Sequence, residues 1–108
     1  MMKTFEDLRF EPHPHAVHLK QFYAGQTNVD PYIEDMFNGA KAWMEFPNGY
    51  EISVLCGVQF YSNGRDTYEV GVFYQGMDTQ FFPTGSVAGW QTRDEVEEIM
   101  KDVQELKD

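Results

Sequence analysis

Three histidines fall within six residues, His13-Pro-His15-Ala-Val-His18. This H-x-H-x-x-H run is the one group in the chain with metal-ligand spacing. On an extended segment His13 and His15 would point to the same side and chelate, with Glu11 adding an oxygen. Zinc needs three or four fixed ligands, and no second cluster in the chain completes a set. The two prolines, Pro12 and Pro14, account for an irregular backbone here without a metal. Metal binding by His13, His15 and His18 is therefore the minor alternative, and no cofactor is expected.

Cys56 is the single cysteine. A nucleophile needs a base within reach, and every histidine lies in the N-terminal arm. Its place in an apolar alternation marks it as a small buried hydrophobe. One cysteine also allows no intramolecular disulfide, which fits a reducing cytoplasm. The glycines form neither G-x-G-x-x-G nor a P-loop. These residues do not assemble a catalytic group, so the chain is not expected to be an enzyme.

Carboxylates are the remaining chemistry. Eighteen acids against eight bases give a net charge of −10. The last sixteen residues alone carry seven acids and three bases. Such a chain is repelled by nucleic acid, whose binding proteins neutralise phosphates with Lys and Arg. The excess serves either solubility or attraction to a partner with a basic surface.

Which elements hold these residues follows from periodicity. The 108 residues make one domain, 1–108, with 42% hydrophobic and 16% aromatic residues, too apolar for disorder. Residues 1–27 read as an irregular arm, pinned by Phe5, Leu8 and Phe10; Ala16 to Tyr23 fits a short helix or an extended run. Asp30-Pro31 is an N-cap with proline at the first helical position, and Asn38-Gly39 a stop, so a short helix is expected near 31–37. Alternation then predicts antiparallel strands over 40–46, 50–61, 67–75 and 79–82, joined by Pro47-Asn48-Gly49, Ser62–Asp66 and Gln75–Asp78. Thr92-Arg-Asp-Glu95 is a capping box. Val96, Ile99, Met100, Val103 and Leu106 form one apolar stripe on a helix over 93–106. The expected fold is α+β: a meander of about four strands packed on an amphipathic C-terminal helix.

That architecture sorts the candidate residues. The stripe should cover the Tyr50/Ile52/Val54 and Val70/Val72 face, leaving Glu97, Glu98, Asp102 and Glu105 on the helix's outer side. Trp43, Leu55 and Phe73, with Phe81 beside them, then fall on the sheet's second face with Lys41, Glu45, Glu51, Gln59 and Glu69. An apolar row rimmed by polar residues is either a second packing layer, supplied by the arm and the 31–37 helix, or an interface.

The order Phe5-Glu-Asp-Leu-Arg-Phe-Glu-Pro-His-Pro14, Phe46-Pro-Asn-Gly-Tyr-Glu-Ile-Ser-Val54, Tyr68-Glu-Val-Gly-Val72 and Gly89-Trp-Gln-Thr-Arg-Asp-Glu-Val96 resembles a group of small uncharacterised tailed-phage proteins. The resemblance covers most of the chain outside 15–39, which stands as an insertion, and rests largely on turn and cap signals. It implies a phage or prophage origin and no activity. The leading expectation is an acidic accessory protein in the host cytoplasm, acting by protein binding on a basic surface, with mimicry of nucleic acid towards a host nuclease or defence complex as its sharpest form. A homodimer joined through the second sheet face or an edge is the alternative. No direct nucleic-acid contact and no membrane association are expected, since no segment approaches the ~20 apolar residues of a span.

Overall fold

Ile52, Val54, Val70 and Val72 are fully buried, and their period of two dictates what the middle of the chain becomes. In the computed structural model, which describes residues 2–107, strands β2 (Ala40–Glu45), β3 (Tyr50–Cys56) and β4 (Thr67–Tyr74) form an antiparallel meander. Pairs such as Ala42↔Val54↔Val70 and Met44↔Ile52↔Val72 put the apolar members on one face. Met1 and Asp108, the latter one of the acids of the C-terminal sixteen, lie outside the described residues.

Helix α3 (Arg93–Gln104) begins at the expected capping box: Thr92 Oγ1 accepts from Glu95 N, and Glu95 Oε1 accepts from Thr92 N. Val96, Ile99, Met100 and Val103 are buried against the sheet. Leu106 is not part of this set: the helix ends at Gln104, and Leu106 is exposed just beyond it. The end of the helix is fastened from another element. Asn48, in the β2–β3 turn, donates from Nδ2 to the carbonyls of Val103 and Leu106, both at 2.9 Å, and its Oδ1 accepts from Tyr50 N.

The sheet departs from expectation at two places. Strand β3 stops at Cys56, although the alternation continues to Phe60. At Gly57 the chain turns back, and the buried Ser62 hydroxyl organises the loop. It donates to the Thr67 carbonyl at 2.7 Å and accepts from the amides of Gly57 and Gly64. Val58, Gln59 and Phe60 thus serve loop packing; Gln59 wedges between Gly39 and Gly57, where a Cβ on either glycine would meet its amide at 2.6 Å. Residues 79–82 do not form a strand. Gln75 and Gly76, both at positive φ, make a tight turn into the two-residue strand β5 (Met77–Asp78). The Thr79 hydroxyl then donates to the Val72 carbonyl as the chain leaves the sheet.

The missing strand is β6 (Val87–Thr92), paired with β4 and leading directly into α3. Its register slips between Tyr68 and Val70. That bulge holds Trp90 at φ 58, an uncommon conformation for a bulky side chain.

The N-terminal arm is more ordered than an irregular segment. A 3₁₀ turn (Phe5–Asp7) packs on α3, β1 (Glu11–Pro12) pairs with β2, and α1 (Pro14–Phe22) follows. Pro14 takes the first helical position, with His13 as N-cap. Helix α2 (Pro31–Met36), capped by Asp30, is the short helix expected there. Leu8 completes the core, and Phe5 lies edge-on to Tyr68. The sheet order is β1-β2-β3-β4, with β5 and β6 both on the far side of β4.

Candidate functional site

The histidines do not converge. His13 Nδ1 accepts the His15 amide at 3.0 Å as the α1 cap, and its ring packs on Phe60. His15 and His18 sit exposed on α1 rather than on an extended segment. Burial, with Lys41 and His15 nearby, lowers the His13 pKa, and Glu69 opposes this. Among the described residues, no group of three or more His, Cys, Asp or Glu has metal-holding geometry. Cys56 ends β3 half-buried. Its Sγ takes a long contact from the Ser62 hydroxyl, and burial raises the thiol pKa, so it stays protonated at neutral pH.

The acids of α3 divide. Glu98, Asp102 and Glu105 are exposed, as expected. Glu97 is not simply solvated: it is half-buried, and its Oε1 accepts the Phe5 amide at 3.0 Å, tying the arm to the helix. Arg93 bridges Glu6 at 3.3 Å and Asp94 at 3.9 Å, and its guanidinium lies 4.8 Å from the Phe5 ring centre. These are the ion pairs among the described residues. Asp7, Asp30, Glu51, Glu69, Glu95 and Glu97 accept backbone amides, with no cation within ion-pair distance of them among the described residues.

Trp43, Leu55 and Phe73 share the second face, and Trp43 and Phe73 meet on it. The register builds it in rows: Lys41↔Leu55↔Glu69, then Trp43↔Ser53↔Gly71↔Val87, then Glu45↔Glu51↔Phe73↔Asp78. The Trp43 and Phe73 rings stack with centres 6.4 Å apart and planes inclined by 21°. Gly71 permits this contact, since a Cβ there would lie 2.7 Å from the Phe73 ring. Trp43 remains 50% exposed and Val87 36%. Phe81, placed provisionally on this face, instead packs against the core on the helix side.

Among the described residues no second layer covers these rings. The 3₁₀ turn packs on α3. Helices α1 and α2 pack on each other; His13 N to Gly39 O ties the start of α1 to the segment leading into β2, and Gln59 Nε2 to Met36 O and Tyr32 Oη to Val58 O tie α2 to the loop after β3, at the end of the sheet. Beside Val87, a shallow hollow of about 520 Å³ is lined by Tyr61, Thr84, Val87, Ala88, Gly89 and Trp90. Tyr61 and Trp90 extend the exposed aromatic surface, and their connection was not visible beforehand. The only sequence signals are Gly89, whose Cβ would meet Tyr61 Cβ at 2.4 Å, and Gly71 inside a strand.

The sheet edges are blunted. Strand β1 is two residues long and contains Pro12. Along the outer side of β6, the Trp90 amide bonds to the Tyr61 carbonyl, the Val87 carbonyl accepts from the Thr84 hydroxyl, and the Thr92 amide is held by Glu95. Edge-to-edge pairing between copies has little backbone to use. No helix among the described residues is long and apolar enough to cross a membrane. Comparison with family models, with curated proteins and with solved structures gives no match.

Proposed function

We propose that this chain is a binding protein whose partner presents a basic surface, in the accessory role that the phage resemblance suggests. The observation that carries the reading is uncompensated charge. The chain has eighteen acids, and Arg93 alone makes ion pairs among the described residues. Glu98, Asp102 and Glu105 project from α3 without a structural task. Self-repulsion costs stability, so a charge that holds nothing together in the fold is available for recognition.

Magnitude favours a general basic surface over mimicry of a phosphate track. The molecule measures 52 × 25 × 20 Å. A duplex 52 Å long would carry roughly 30 phosphates, against a net −10 here. The partner would meet about a third of the charge density that a nucleic-acid site is built to accept.

The test is association rate against ionic strength, with a partner captured from host or infected lysate. Changing Glu98, Asp102 and Glu105 to Lys should slow association while preserving the fold. The original complex should also form more slowly as salt rises, because such attraction is screened over ~8–10 Å. A folded triple variant that binds as fast as the original, with no salt effect, would refute the reading. Glu97 is left out of the variant because it holds the Phe5 amide.

A further inference from the structure

We infer that the open face of the sheet is the docking surface for a segment of the partner bearing several arginines, one guanidinium laid on the Trp43–Phe73 stack and others bonded by the carboxylates of Glu45 and Asp78, which stand three strand spacings apart. This assignment rests on the proposed binding role and names where and how the basic partner is read.

Charge and geometry select the occupant together. The face presents Glu45, Glu51, Glu69 and Asp78 against Lys41 alone. Glu51 is only 7% exposed, and Glu69 is half-buried; each spends one oxygen on a backbone amide, Gly76 N at 2.6 Å and Tyr61 N at 3.0 Å. Neither has a cation within ion-pair distance among the described residues. Glu45 and Asp78 are exposed at either end of the row that contains Phe73. Between and beside them lies a flat aromatic surface held in place by the glycine at 71.

A second copy of the chain fits this face poorly. It would set the exposed Glu45 and Asp78 against their own copies, each chain bringing a net −10, and like charges across an interface are a device of exclusion. A neutral apolar partner would leave the acids facing nothing. Arginine fits both features, because its planar guanidinium stacks on aromatic rings and bonds carboxylates through its edge. Lysine, a compact and strongly hydrated point charge, satisfies the carboxylates but gains less from the stack.

The probes are nona-arginine and nona-lysine peptides of equal charge, titrated at low salt and followed by amide and indole nuclear magnetic resonance shifts. Nona-arginine should perturb the Trp43 indole and the amides around Glu45, Phe73 and Asp78. Trp43→Gln should weaken nona-arginine by roughly two- to sixfold and nona-lysine by less than about twofold, and Trp43→Phe should restore most of the difference. Gly71→Ala, which drives the rings apart without changing a charge, should act in the same direction. Trp43 is half-exposed, and circular dichroism of each variant checks the fold. Shifts confined to α3, or equal affinities for nona-arginine before and after Trp43→Gln, would overturn the assignment while leaving the binding role in place. Absence of binding by either peptide would overturn both. A concentration-dependent mass abolished by Trp43→Gln would instead make the face a self-contact.

Discussion

Asn48 should matter far more than a turn residue does. In the sequence Pro47-Asn48-Gly49 it is one of several polar residues suited to a reversal. In the fold it is the joint between the hairpin and the end of α3. Nδ2 donates to the Val103 carbonyl, which also accepts the Leu106 amide, and to the Leu106 carbonyl just past the helix end, and Oδ1 accepts from the Tyr50 amide. Three bonds, two partly buried and one exposed, at a net of about 0.5–1.5 kcal/mol each and discounted for water that replaces some of them, put Asn48→Ala at about 2 kcal/mol of destabilisation. For a domain of this size that lowers the melting temperature by roughly 8 °C. Asn48→Asp separates the two roles. It retains the oxygen that serves Tyr50, loses both donors, and sets a carboxylate against the negative end of the helix dipole. It should cost at least as much as Asn48→Ala. Urea titration followed by far-ultraviolet circular dichroism measures both. If Asn48→Asp unfolds at the same urea concentration as the original, the helix contact contributes nothing and the turn alone matters.

Ile99→Ala removes buried volume between α3 and the sheet and should destabilise by about 2–4 kcal/mol, whereas Glu98→Ala should stay within about 0.5 kcal/mol; equal effects in a denaturant titration would put the wrong face of α3 in the core. His13 gives a pH dependence. Burial holds its folded pKa below the ordinary histidine value of about 6.5, so on acidification the unfolded chain takes up the proton first. Its contribution is complete above about pH 6.5, falls as pH drops through that value, and levels off below the depressed folded pKa. His13→Asn preserves an N-cap acceptor without titrating, so the original should lose stability relative to it as pH falls through about 6.5. Parallel stability curves for the two proteins would remove the role assigned to burial and to the neighbouring Lys41.

The sequence determined the elements whose signals are local. Thr92 and Glu95 lie three residues apart in any helix that starts there, so the capping box needs no tertiary knowledge. The same holds for Asp30-Pro31 and for the alternation of Tyr50–Cys56 and Thr67–Tyr74, because one face of a strand is buried whatever covers it. The antiparallel meander and its covering helix were legible for that reason, as was the placement of Trp43, Leu55 and Phe73 on one face. Long-range contacts decided the rest. Alternation past Cys56 suggested more strand, but Ser62 and the Gly39/Gly57 approach close a loop there. Strand β6 has no clean period because its bulge is held by Tyr61, which lies 29 residues away. Glu97 looked like any other helix acid until the Phe5 amide arrived from 92 residues away. Whether the second sheet face is covered depended on where the arm and two short helices go, and their packing sends them to α3 and to the end of the sheet. Local pattern specifies which side of a strand is apolar; only the path of the whole chain decides which apolar side is left in water.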